Sequence, residues 1–470
     1  MIRDLTVGAP RPLLWRFCLP LLGSMLFQQL YNLTDSFVAG RFIGDGALAA
    51  VGNAYEITMV FTAIAFGCNI GCSIVTSQLF GQRRLRDVKT AVSTACVAGG
   101  VLCLMQVALG VLLARPALGW ISTPADILAD SAAYLEIYIY GVPFVFFYNI
   151  ATGIFAALGD SRTPFFFLVA SSLSNIAADI LFVTAFGLGV RGVAWATFLC
   201  QGISCLLALF FLFRRLRGIG DEGGSAGRAP LFSWHLLGRI GFVALPSVCQ
   251  QSFVSLGNIA VQNVINRFGS AVTASYAATA KLNSMATSCF AAVGNGISNF
   301  TGQNLGAGKT ERARAGFRAG FALILCIALS LSLLFSLCGR PIVSLFLQDG
   351  NPVVLDHAML FLRIISPFYA VIGTKLAVDG VLRGATRMGQ FMTATFTDLL
   401  LRVILAYALS PALGVKGIWL AWPIGWGIAA VLSLAFYFFG GWNRGLAPER
   451  GGRPAKSPEK PSDSNTPSKE

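Results

Sequence analysis

The sequence predicts an all-α membrane protein, with twelve transmembrane helices in two six-helix lobes related by a parallel pseudo-two-fold repeat. Three observations carry that expectation. Of 470 residues, 55% are hydrophobic and only 12% are charged, and the mean hydropathy is +0.69, a balance that excludes a soluble globular domain. The apolar stretches are each long enough, at roughly 20 residues, to cross a ~30 Å hydrocarbon layer as helices, and they lack the alternation of membrane-barrel strands. The chain also repeats itself: LGVRGVAWA at 188–196 returns as LGVKGIWLA at 413–421, and Ser77-Gln78-Leu79-Phe80-Gly81 returns as Gly302-Gln303-Asn304-Leu305-Gly306.

The predicted spans are 14–40, 47–79, 90–114, 127–152, 164–186 and 192–213 in the first half, then 239–266, 271–301, 316–338, 356–381, 390–410 and 416–439 in the second. They divide the chain into an N-terminal lobe (1–217), a Gly/Ser-rich linker (218–233), a C-terminal lobe (234–444) and a polar tail (445–470) expected to be disordered. The loops after the even-numbered spans hold sixteen Lys or Arg against six on the other side, which places both termini in the cytoplasm of a bacterial inner membrane. The net charge of +14 therefore suits anionic lipid headgroups and is too scattered for nucleic acid. No cleavable signal peptide is expected, because the first apolar stretch is too long. The eleven cysteines read as small buried fillers, with no second ligand pair for a metal.

Polar residues inside these spans are the candidates for function, since an ionisable group at membrane depth costs a few kcal/mol unless it works or pairs. The first span carries Gln28, Asn32 and Asp35 as one stripe, with Tyr31 on its edge, and Pro20 allows a bend early in it. Its counterpart Pro246 opens the seventh span, which shows Gln251, Ser255, Asn258 and Gln262 on one face. The fifth span carries Ser171, Asn175 and Asp179 one turn apart, and the sixth adds Thr197. The Gly-rich stretches Gly67–Gly71 and Gly294–Gly296 allow close helix contact. Glu56 and Lys281 occupy matching positions of the two repeats, and Glu136 falls near an outer surface.

The repeat acts as an internal control. Asp35 corresponds to Val261 and Asp179 to Ile404, so one half has two acids where its twin has aliphatics. At ~1.5 Å per residue, Asp35 lies ~9 Å inside the outer boundary marked by Arg41, and Thr197 lies at a similar depth past Arg191. Carboxylate, amide and hydroxyl oxygens suit a hard cation such as Na⁺, and two carboxylates in a poorly solvated cavity equally hold a proton near neutral pH. The bland alternative is that both acids merely tie helices together. Lys375, Asp379 and Arg383, and Asp398 and Arg402, are spaced i, i+4 and read as structural ion pairs.

Three segments together resemble the multidrug and toxic compound extrusion (MATE) family over roughly residues 10–440: Gln28-Gln29-Leu30-Tyr31-Asn32-Leu33-Thr34-Asp35, Gly159-Asp160-Ser161-Arg162-Thr163-Pro164, and Gly192-Val193-Ala194-Trp195-Ala196-Thr197. The resemblance implies a V-shaped cavity between lobes and efflux of amphipathic, often cationic, small molecules driven by H⁺ or Na⁺. It implies a cation site at Asp35, Asn175, Asp179 and Thr197, with the Val193 carbonyl as a further ligand, and a bend at Pro20. Gln250 and Gln251 stand where the NorM-like branch has an acid, which points to the DinF-like branch and away from an ion site in the second lobe. No organic cofactor is implied, and a monomer is expected.

Two rivals remain at this level. A lipid-precursor flippase of the same superfamily would want a cation-rich cavity, whereas the second is a membrane enzyme. The chain has only His235 and His357, and no nucleophile–base spacing.

Overall fold

The structure, a computed structural model, describes residues 3–38, 42–120, 123–218, 229–344 and 352–443, apart from the side chains of 30–38, 45, 48, 55 and 56. Nearly all of it is helical. The first lobe comprises α1 (Pro10–Val38), α2 (Asp45–Gly81), α3 (Leu85–Trp120), α4 (Leu128–Ala157), α5 (Arg162–Ile180) and α6 (Gly189–Gly218). The second comprises α7 (Trp234–Asn266), α8 (Ser270–Gly306), α9 (Thr310–Ser344), α10 (Pro352–Ile365), α11 (Tyr369–Gly384), α12 (Met388–Leu413) and α13 (Val415–Phe439). Ten described segments are long and apolar enough to cross a membrane. Most of the expected linker (219–228) and the tail lie outside the described residues.

One predicted span is not a single helix. The tenth breaks into α10 and α11 at a 3₁₀ turn, Ser366–Phe368. Pro367 has no N–H for the carbonyl one turn back, and the α pattern gives way there to the 3₁₀ turn. A second irregularity follows Asp179: α5 passes into a π-helical turn, Leu181–Ala185, a widening that often marks functional positions.

Both lobes pack by one plan. In the first, α1 lies on α5, α5 on α6, α6 on α4, and α4 on α2 and α3; in the second, α7 lies on α12, α12 on α13, α13 on α10 and α11, and α11 on α8 and α9. Across the interface α2 meets α7 and α8 meets α1, while α2 and α8 meet each other, as a pseudo-two-fold axis requires. The polar helix is α8, with Ser275, Thr279, Asn283, Asn299, Gln303 and Asn304 all buried. Ser275, Thr279, Asn299 and Asn304 donate to carbonyls of α8 itself, while Asn299 accepts from Ser73 of α2 and Gln303 donates to the Ala157 carbonyl of α4.

The prolines sit where the first helix of each lobe changes partner. Before Pro20, Leu14, Phe17 and Cys18 belong to the second lobe's core, and the Trp15 indole donates to the Ala319 carbonyl at 2.8 Å. After it, Phe27 packs edge-on against Phe165 of α5. Likewise α7 packs around Pro246 on α2, where Gly67 and Gly71 admit Val248 and Ala244, and further along on α12 through Phe253 and Phe396.

Candidate functional site

A cavity of about 770 Å³ lies against the first lobe, walled by α1, α2, α4, α5, α6 and a single stripe of α8. Of the expected cation-site residues, Asn175 and Thr197 line it, with 1% and 4% of their surface exposed. Asp179 stands one turn beyond Asn175, fully buried and behind this wall. Val193, one turn from Thr197 on α6, is buried in a core cluster of the same lobe. The Asp35, Tyr31 and Asn32 side chains lie outside the described ones, while Gln28 is on the wall.

The expected α7 stripe is a different matter. Gln251, Ser255 and Asn258 are exposed, Gln262 is half-buried and bonded to Asn266, and none is on the described wall. This half of α7 packs on α12 through Phe253 and Phe396. The periodicity is real, but the face is open.

The second lobe holds a buried charge cluster. Lys375 Nζ is 2.7 Å from Asp379 Oδ2 and 3.0 Å from Thr395 Oγ1, and Ser433 Oγ donates to Asp379 Oδ1 at 3.2 Å. Arg402 meets Asp398 at 3.1 Å and lies 4.3 Å over the Trp422 ring. Arg383 departs from expectation: it makes no ion pair among the described residues and lies 5.5 Å over Phe391. Lys375 and Ser433 already occupy the Asp379 carboxylate. At the far end of the bundle Glu136 pairs at 3.6 Å with exposed Arg115.

Where the cavity is closed, the lobes are clamped by two glutamines whose role the sequence reading missed. Gln78 donates to the Gly384 carbonyl at the end of α11, and Gln303 donates to the Ala157 carbonyl at the end of α4. Each reaches the last turn of the corresponding helix in the opposite lobe. Their oxygens accept across the interface too, from Arg239 at 3.2 Å and from the Leu5 N–H at 2.9 Å. A signal was present: within the repeated pentapeptide only the Gln and the final Gly are retained.

The segment before α1 seals this closed end. Leu5 is fully buried, and its carbonyl accepts from Asn304 and Arg312, both at 3.2 Å. Lys309 donates to the Thr6 carbonyl at 3.0 Å, and Arg312 to the Gly8 carbonyl at 2.6 Å. Asp4 pairs with Arg83 of the first lobe. Burial alone would raise the Asp4 carboxyl; hydrogen bonds from Thr6 and the charges of Arg83 and Lys309 outweigh it and hold the pKa below its ordinary value.

Two repeated lobes of membrane-crossing helices, enclosing a cavity of mixed polar and apolar lining shut at one end by symmetric contacts, define a transporter. The chain belongs to the MatE family: the family model matches residues 20–181 and 246–408, once in each lobe. It is thus a MATE transporter, of a family of transporters rather than enzymes. It is 27% identical to the probable multidrug resistance protein YoeA of Bacillus subtilis (strain 168), over 91% of this chain and 94% of that protein. It is 23% identical to a protein of Shewanella oneidensis described as an FAD transporter, over 84% and 87% of the two chains. A solved structure, the outward-facing conformation of a multidrug resistance MATE family transporter, superposes with a TM-score of 0.86 at 21% identity, over 94% of this chain and 97% of that one.

Proposed function

We propose that this transporter is a secondary antiporter that exports amphipathic small molecules in exchange for inward H⁺ or Na⁺ by alternating access. The observation carrying this reading is Asp179, buried directly behind a cavity wall built in part by Asn175 and Thr197. An acid in that position answers to an ion arriving through the cavity, and its state alters how α5 and α6 pack beside it. Asp35 and the Val193 carbonyl complete the proposed site, and Gln28, Tyr31 and Asn32 lead to it from α1. Ion and cargo then favour opposite arrangements of one lobe, so each lowers the other's apparent affinity.

The Arg/Lys-rich loops cluster at the closed end, which supports placing that end and both termini in the cytoplasm of a bacterial inner membrane. The cavity is then open to the outside. The protein works as a monomer in lipid and needs no organic cofactor. A lipid-precursor flippase draws no support from a described cavity wall with a single cation, Lys281. One relative is described as an FAD transporter, so family membership leaves the charge of the cargo open.

The test is release of a fluorescent amphipath from liposomes containing the purified protein, with Na⁺ and pH gradients imposed separately. One gradient should drive release in the wild type and in neither Asp35→Asn nor Asp179→Asn. Equal gradient-driven release by both variants would remove these acids from coupling.

A further inference from the structure

Among the described residues of the cavity wall, the charge runs opposite to what a cation exporter needs. Among the described lining residues there is no aspartate or glutamate, and Lys281 is the one charged side chain. Lys281 heads the α8 stripe that continues through Ser284, Met285, Asn295 and Asn299 toward the closed end, at the three- and four-residue steps of one helix face. It is exposed within the cavity, and no described carboxylate pairs with it.

Behind that stripe the second lobe adds to the same sign. Lys375, Arg383 and Arg402 are buried there against only two described carboxylates, Asp379 and Asp398. In the first lobe Asp179 is fully buried and is not among the described lining residues. On the same cavity wall, Tyr134 and Tyr138 of α4 lie stacked at 6.4 Å between ring centroids and 18° between planes. A cation entering from water would lose hydration and face an ammonium. An anion would exchange hydration for that ammonium and for amide and hydroxyl donors.

We propose that the cargo of this cavity is an amphipathic organic anion, its carboxylate, sulfonate or phosphate group held by Lys281 and its aromatic body laid against Tyr134 and Tyr138. The proposal rests on the transporter reading above and adds a charge to it. Lys281 is a specificity-determining residue: it selects the cargo and takes no part in ion coupling.

The experiment uses full-length protein in liposomes and two xanthene dyes of matched frame and opposite charge, carboxyfluorescein and tetramethylrhodamine ethyl ester. The wild type should move carboxyfluorescein with the lower KM. Lys281→Gln should raise that KM about tenfold, the weight of one charge-assisted hydrogen bond, while leaving the rate at saturation and the rhodamine unaffected. Lys281→Arg should restore anion transport, which a merely misfolded variant would not do. Preference of the wild type for the rhodamine, or carboxyfluorescein kinetics unchanged in Lys281→Gln, overturns the charge assignment and leaves the transporter reading standing. If neither dye moves in the wild type under any ion gradient, both readings fall together.

Discussion

Gly81 and Gly306, counterparts in the two repeats, each lie against the other lobe's glutamine. A Cβ on Gly81 would sit 2.0 Å from the Gln303 carbonyl oxygen, and one on Gly306 would sit 2.3 Å from the Gln78 carbonyl oxygen. The obstructing atoms are backbone, so no rotamer change relieves the clash. Gly81→Ala and Gly306→Ala should each part the lobes at the closed end. Spin labels on exposed Arg86 and Glu311 should report a longer and broader distance in either variant, with transport reduced while the protein still reaches the membrane.

The glutamines themselves should differ in weight. Gln303→Leu strands the buried Leu5 N–H and Ala157 carbonyl, whereas Gln78→Leu strands the Gly384 carbonyl and a half-exposed arginine contact. An unsatisfied buried group costs about 1–3 kcal/mol. Gln303→Leu should therefore lower the thermal midpoint in detergent more than Gln78→Leu, and only Gln303→Leu should speed proteolysis before Pro10. Equal effects would mean that the N-terminal segment draws nothing from Gln303.

Much of this was readable without coordinates, and the exceptions have physical causes. Twelve spans followed from apolar length, and the lobe symmetry followed from retained residues such as Gln78 and Gln303. Asn175, Asp179 and Thr197 were placed on α5 and α6 by helical spacing alone. Spacing does not say what a face looks at: the α7 stripe of Gln251, Ser255 and Asn258 proved to be an exposed surface. Nor does it say who wins a shared partner, so Arg383 lost Asp379 to Lys375 and Ser433. The break at Pro367 was overlooked because an apolar run continues through it. The strap at Leu5 and Thr6 was invisible, since its hydrogen bonds join residues some 300 positions apart.

Acid should loosen that strap. Folding holds the Asp4 pKa below its ordinary value, so the pairing with Arg83 contributes fully above the ordinary carboxylate range and is lost as pH falls through the lowered value. Protease cleavage within residues 3–9 should rise in that acidic window in the wild type. In Asp4→Asn it should already be fast at neutral pH and nearly flat with pH. A wild type whose cleavage rate does not change with pH would assign the strap's hold to its backbone hydrogen bonds alone.

The Asp398–Arg402 pair gives the sharpest stability prediction. Both are buried on α12, joined at 3.1 Å, with the guanidinium stacked on Trp422. Removing one partner leaves an uncompensated charge in a low-dielectric interior, a loss of about 3–5 kcal/mol, whereas replacing both with apolar side chains of similar volume is often neutral. Asp398→Leu alone should therefore depress the unfolding midpoint strongly. The double substitution Asp398→Leu with Arg402→Met should recover most of it, because methionine keeps contact with the indole face. If the pair is structural, the recovered protein should also transport at close to the wild-type rate. Recovery of stability without recovery of transport would move Asp398 and Arg402 from scaffold to mechanism.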